Sequence, residues 1–332
     1  MVAELKEATR PINFRRVLGA LLAFVLLYAA YAMFTGFAKL REGIEAFHWA
    51  AFAAACSLAF GNYVLRFLKW EFYLAKLGIR GVKKVDSFLT FLSGFVLTVS
   101  PGKVGEVFKS LVLFETYDVP VAKTAPIVVA ERITDLIGII LLIVLGSLGF
   151  HGGLFIAGLG TALVGSLLVV IASRSLSMRI IGFVSTMPGP FKRIGPKLEQ
   201  AYESLTILVS PANLIFPTLL SIAAWSLECM ALAVILRGFG EPVPLPLCVF
   251  FYATSTLAGA IIPVPGGLGI TEEGLREQMM EVGHVPAATS TAAMMLVRFA
   301  TLWFAVLVGF AALGLLKLRY PKLLSPRVVE ES

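Results

Sequence analysis

Charge is scarce in this sequence: Asp, Glu, Lys and Arg make up 15% of 332 residues, against 58% hydrophobic residues. The mean hydropathy is +0.87. An ordinary soluble domain has roughly a quarter of its residues charged, so the two soluble domains that the length would allow are excluded. Cysteine and histidine are almost missing too, at 3 each. Cys56, Cys229 and Cys248 are odd in number and sit within apolar segments, which argues for helix packing and against a disulfide framework or metal cluster. His48, His151 and His284 are scattered, and there is no His-Glu-x-x-His pair, Walker lysine loop or nucleophile elbow. No cofactor, metal or enzymatic activity is therefore expected.

Hydrophobic length fills that space. A spanning helix needs ~20 mostly apolar residues, and six stretches qualify: 17–37, 47–65, 125–148, 154–172, 214–236 and 287–316. Arg15 and Arg16 before the first stretch and Ala30-Tyr31-Ala32 within it imitate a cleavable signal, but the run continues to Phe37, which suits a retained anchor better. Lys6, Arg10, Arg15 and Arg16 put the N-terminus inside under the positive-inside rule. Followed through the spans, only Lys39, Arg41, Arg237 and Arg276 of the 28 basic residues fall outside, and Arg132 and Arg298 lie within spans. The net charge of +7 thus reads as orientation, with the cytoplasmic surface facing anionic lipid. No nucleic-acid partner is expected, because no reading motif accompanies the basic residues. The expected layout is a cytoplasmic N-terminus (1–16), one transmembrane domain (17–316) and a cytoplasmic tail (317–332) in the cell membrane. Residues 173–210 form a cytoplasmic amphipathic link, and Arg66, Lys69 and Trp70 end the second span as an interfacial anchor.

Two further apolar stretches, 88–100 and 247–262, each run into a Pro/Gly break and then resume a helical pattern. Each reads as a re-entrant hairpin, or as a loop between short interfacial helices; backbone broken at membrane depth survives only where protein or water satisfies it. Pro101-Gly102-x-x-Gly105 and Pro265-Gly266-x-x-Gly269 share one spacing. Val119-Pro120 and Val285-Pro286 follow them, and Arg132 and Arg298 stand twelve residues beyond each second proline. These matches make repeat 1 about 47–148 and repeat 2 about 212–316, and the topology puts their hairpins on opposite sides. The fold class expected is an all-α polytopic membrane protein of about six transmembrane helices plus two re-entrant hairpins in inverted repeats, a plan shared by many transporters.

A cation at the centre of a bare helix costs ~2.5–3.5 kcal/mol on insertion scales, so Arg132 and Arg298 need partners or a wet cavity. Arg132 has Glu131 and Asp135 within a helical turn, a local bridge if not a site. Arg298 has no carboxylate that near and must reach Glu228 or Glu106, or an anionic ligand. Gly102, Gly105, Gly266, Gly267 and Gly269 let backbone N–H groups approach a phosphate at a helix start. Lys103 and Lys109 add positive charge there, or snorkel to the interface, with Glu106 placed to orient them. Thr271, Glu272 and Glu273 cap the resumed helix or receive a cation or proton. Glu131, Asp135, Glu228, Glu272 and Glu273 are the candidates for coupling or gating.

Pro101–Glu106, Glu131-Arg132-Ile133-Thr134-Asp135 and 263–272 resemble the signatures of the lysylphosphatidylglycerol synthase transmembrane-region family, also called flippase-like or UPF-type membrane proteins, over about 17–316. The resemblance implies lipid flipping, of aminoacylated phosphatidylglycerol in multidomain members and alongside polyprenyl-linked glycan pathways in others. No soluble aminoacyl-transferase domain is expected, and so no synthase activity. Lys103 and Lys109 stand where many relatives are expected to carry arginine, which keeps charge but loses the bidentate fork. The function expected is translocation of an anionic or phosphate-bearing lipid at a midplane headgroup site. The alternatives are secondary transport of a small organic anion, or an accessory role beside a lipid- or glycan-modifying enzyme as partner.

Overall fold

The computed structural model describes residues 47–100, 105–147, 195–262 and 264–324, with isolated positions between 158 and 179. The expected spans 17–37 and 154–172, the segment 1–16, Gly102, Lys103 and the tail beyond 324 lie outside the described residues.

Every described element is helical. In order they are α1 (Trp49–Lys76), α2 (Lys84–Ser93, running into a 3-10 turn at Gly94–Leu97), α3 (Phe108–Tyr117), α4 (Pro126–Ser147), α5 (Gly195–Leu208), α6 (Pro211–Gly238), α7 (Leu245–Ile261) and α8 (Ile270–Glu281). The last helix is continuous but composite: α9 (Ala287–Arg298), a π turn (Phe299–Trp303) and α10 (Phe304–Arg319). Prolines mark several starts, at Pro126, Pro211 and the N-cap Pro286, where a missing N–H costs nothing and the fixed φ already suits a helix. Asp118, in the left-handed region at φ 55°, stops α3.

Among the described residues three helices are long and apolar enough to cross a bilayer: α1 and α6, at 28 residues each, and Ala287–Arg319, at 33. At ~1.5 Å per residue the shorter ones reach ~42 Å, beyond the ~30 Å hydrocarbon core. The protein is an all-α, multi-pass membrane protein. One expectation is corrected: the helix taken to end at residue 65 continues to Lys76. Arg66 and Lys69 are 5% and 0% exposed, and Trp70 is fully buried. They face the bundle interior, so they are not an interfacial anchor.

The order of elements recurs. A 28-residue helix, a shorter helix leading to a break, a short restarted helix and a long helix make up α1–α4, and the same series makes up α6–α10. The two series interlock: α1 packs along α6, α4 packs on α7, and α10 packs on α2. Lipid tails are as apolar as leucine, so such contacts depend on close van der Waals packing at small residues. Gly146 brings α4 so near α7 that a Cβ would meet Phe250 N and Pro246 O at 2.9 Å. Gly309 does the same for α10 on α2, where a Cβ would lie 2.7 Å from Val96 N. One apolar cluster includes Ile139 and Ile143 of α4, and another includes Ile127 and Ala130 of the same helix. The charged turn of α4 falls between them in sequence.

Candidate functional site

On α1 the residues Asn62, Arg66, Lys69 and Tyr73 follow one another at spacings of four, three and four, so they share a helix face, and all are buried. Asn62 Nδ2 donates to the Ala224 carbonyl at 2.8 Å, tying α1 to α6. Lys69 Nζ lies 2.6 Å from Asp135 Oδ1 and 2.9 Å from Ser221 Oγ, and the Ser221 hydroxyl donates to the same carboxylate oxygen at 2.9 Å. The ammonium is fully enclosed.

The facing turn of α4 carries Glu131, Arg132 and Asp135. Arg132 Nη2 stands 3.2 Å from Asp135 Oδ2, the local bridge expected from the i, i+3 spacing, and 3.2 Å from Glu106 Oε2. Glu131 turns the other way, to Lys109 Nζ at 2.6 Å. That ammonium sits 4.7 Å from the centre of the Trp70 ring and 5.2 Å from that of Phe91. Lys109 is 1% exposed, so it does not snorkel. Arg66 completes the group more loosely, 3.5 Å from Glu106 and 4.0 Å from Asp135. Thr98 donates to the second Glu106 oxygen at 3.1 Å.

The second repeat builds a smaller counterpart. Arg298 Nε pairs with Glu272 Oε1 at 2.7 Å, where Glu228 and Glu106 were the expected partners, and Nη2 donates to the Gly266 carbonyl at 2.7 Å. Glu272 is shared: its Oε2 accepts the Gly269 N–H at 2.8 Å, closing the first turn of α8. The break itself needs glycine, because Gly266, Gly267 and Gly269 have φ of 62°, 67° and 85°. The π turn begins directly after Arg298, and such turns concentrate at functional sites. Within it the Thr301 carbonyl accepts the Tyr63 hydroxyl at 2.8 Å. Tyr252 donates to Glu228 at 2.7 Å.

A cavity of about 200 Å³ separates the two groups, lined by Arg66, Arg132 and Asp135 on one side and by Glu228, Tyr252 and Arg298 on the other. Tyr63, Gly266 and Gly267 join the polar wall, while Leu136, Ile139, Leu302 and Ala305 supply apolar surface. The space is several times the ~30 Å³ of one water. Neither Arg66 Nε nor Arg132 Nε has a hydrogen-bond partner, although both are buried. Each guanidinium has five N–H donors, so neither is saturated by its ion pairs.

Of the site residues expected from sequence, Arg132, Arg298, Asp135, Glu228, Gly266 and Gly267 line this cavity. Glu106, Lys109, Glu131 and Glu272 form ion pairs and are buried, but they do not line it. Gly105 follows the first break, its N–H donating to Ser100 Oγ at 2.6 Å. Glu273 pairs with Arg276 at 2.9 Å and is 47% exposed, apart from the cavity wall. Arg66, Lys69, Tyr63 and Tyr252 were not anticipated; for the first two, the polar spacing along α1 was the available signal. Among the described residues no cluster of His, Cys, Asp and Glu is arranged to hold a metal.

The chain is similar to known proteins. The chain is 22% identical over 315 residues to a UPF0104 membrane protein of Methanothermobacter thermautotrophicus, covering 86% of this chain and 89% of that one. A second protein of the same description and organism is 25% identical over 123 residues, 37% of this chain and 36% of that one. The family model described as the lysylphosphatidylglycerol synthase TM region matches residues 16–309. With that match covering most of its length, the chain belongs to this family of integral membrane proteins.

Proposed function

We propose that the protein is a translocase for an anionic or phosphate-bearing lipid, either a phospholipid or a polyprenyl-phosphate-linked molecule, whose headgroup enters the cavity between the repeats. One observation carries the reading: Arg66, Arg132 and Arg298, from three helices and both halves of the chain, converge on one cavity that also has an apolar wall. An anionic headgroup satisfies the guanidinium N–H groups that face it, and acyl or prenyl chains match Leu136, Ile139, Leu302 and Ala305. Lys69 and Lys109, each in a 2.6 Å pair, hold the scaffold behind that surface. The reading places two re-entrant hairpins on opposite sides of a six-span inverted repeat, with both termini cytoplasmic and the two breaks gating the site in turn. Asp135 and Glu228 are its candidates for carrying a coupling ion or proton.

The test is native mass spectrometry of the purified protein with its bound lipids, comparing wild type with Arg132→Ala and Arg298→Ala. Retention of one anionic lipid class by wild type, lost in both variants, is the expected result. Equal retention of the same bulk lipids by all three removes the headgroup site. A small soluble anion that is taken up without lipid dependence would replace lipid as the cargo.

A further inference from the structure

Arg132 and Arg298, which line the cavity, are each paired with a carboxylate that follows a break, Glu106 in the turn leading into α3 and Glu272 in the first turn of α8, and the separation is the same 26 residues. The carboxylates share a second feature, since each also fastens its own hairpin. Glu106 accepts from Thr98, ahead of the first break. Glu272 accepts from the Gly269 N–H while its arginine donates to the Gly266 carbonyl, on the second break. Arg66, which approaches Glu106 at 3.5 Å, and Arg132 both keep a buried, unpartnered Nε. Carboxylate and hairpin therefore rest on the same cations that face the cavity.

We infer that Glu106 and Glu272 are a matched pair of counter-ion latches that compete with the translocated anion for the cavity arginines. This rests on the proposed headgroup site and adds its regulation. While the cavity is empty, each carboxylate neutralises its arginine and is itself held in place, Glu106 by the Thr98 hydroxyl and Glu272 by the Gly269 N–H. An anion that enters repels the carboxylate at close range in a medium of low dielectric, takes over the arginine and frees that carboxylate. Because the two latches sit on different arginines, the anion's position between Arg132 and Arg298 decides which carboxylate is released.

The latch predicts a sign that a purely structural ion pair does not. Glu106→Gln and Glu272→Gln remove the competing charge, and the contacts that remain, Arg132 to Asp135 and Arg298 to the Gly266 carbonyl, neutralise the two cations less completely. Each variant therefore melts lower than wild type without anion and gains more in melting temperature when anion is supplied. Its affinity rises about ten-fold, within the ~5–150-fold range of coupled sites. The measurement is melting and binding in phosphatidylcholine nanodiscs titrated with phosphatidylglycerol, with inorganic phosphate as a parallel arm. Tightening toward the lipid alone assigns a headgroup, and tightening toward inorganic phosphate as well assigns the phosphate group itself; both support the latch. A variant that unfolds without anion is to be recovered by phosphatidylglycerol and not by phosphatidylcholine, and failure of that recovery overturns the latch. Wild-type binding with both variants unchanged or weaker overturns the latch and leaves the headgroup site standing. A wild type that binds neither probe removes the headgroup site and the latch together.

Discussion

Removing Lys109 and Glu131 one at a time and then together separates scaffold from site. Lys109 is 1% exposed and Glu131 0%, their charged atoms are 2.6 Å apart, and neither lines the cavity. Lys109→Met keeps the length and volume of the side chain but strands the carboxylate, whose Oε1 already has no hydrogen-bond partner. Breaking one side of a buried pair costs about 3–5 kcal/mol. The ammonium also faces Trp70 and Phe91, contacts worth ~0.5–2 kcal/mol. Glu131→Gln strands the ammonium at a comparable cost. The double variant strands neither charge, and replacing a whole buried pair is often neutral, so its loss is at most ~2 kcal/mol once the aromatic contacts are counted. The assay is thermal melting in detergent followed by tryptophan fluorescence, with retention of co-purified anionic lipid measured on the same samples. The expected pattern is two unstable single variants, a near-normal double variant and normal lipid retention in the double. Losses that simply add in the double, or a stable double that has lost its lipid, refute the assignment of this pair to scaffolding.

Packing gives a second prediction: Gly309→Val and Gly146→Val each overpack a helix crossing and lower stability by ~1–3 kcal/mol, whereas Gly314→Ala, where a Cβ meets nothing within 4 Å, is neutral or slightly stabilising by melting. A third concerns acid. Asp86, in the first turn of α2, is buried, which opposes its ionisation, but hydroxyls of Tyr117 and Tyr320 and the cations Arg319 and Lys83 outweigh that and hold its pKa below the usual carboxylate value. A carboxylate lowered on folding contributes stability above its unfolded pKa of ~3.9 and loses it as pH falls through the folded value. Asp86→Asn is therefore less stable than wild type at neutral pH, and the difference shrinks below about pH 4; a difference independent of pH refutes the assignment. A fourth concerns orientation: compartment-sensitive reporters at Glu281 and Lys192 report opposite sides, and the same side for both ends the inverted-repeat reading.

The parts of the site that were legible in the sequence are those fixed by local spacing. The Arg132–Asp135 bridge follows from i, i+3 geometry, and the break at Gly266–Gly269 from glycines beside proline. The repeat of Pro/Gly break, Val-Pro and arginine also anticipated the order of elements seen twice in the described residues. What sequence spacing did not reveal depends on tertiary proximity. Glu272 lies 26 residues from Arg298, and nothing local distinguishes it from Glu273, which turns outward to Arg276. Lys109 resembles an interfacial lysine until Trp70 and Phe91, from two other helices, close over it. Arg66 and Lys69 mark the end of an apolar run by composition. Yet their periodicity with Asn62 and Tyr73 places them on one buried face, and here periodicity was the better guide than hydropathy.

The buried charge itself favours function over architecture. Arg66, Lys69, Lys109, Arg132 and Arg298 meet Glu106, Glu131, Asp135, Glu228 and Glu272 inside a bundle built largely of apolar side chains. Desolvating such groups is expensive, and well-packed apolar residues of similar volume usually give equal or greater stability. A bundle that needed only to hold its helices together would have no use for so many ionisable groups, which in membranes mark pathways and binding sites. Their geometry sorts them further. Neither lysine lines the cavity: Lys69 makes its 2.6 Å pair from behind the lining Asp135, and Lys109 makes its own with Glu131. Around the cavity, Arg66 and Arg132 make contacts of 3.2–4.0 Å and retain unpartnered Nε groups. The tight pairs of Lys69 and Lys109 fix a scaffold, whereas the looser pairs of Arg66 and Arg132 leave cations able to exchange one anion for another, as the proposed translocation of an anionic headgroup requires.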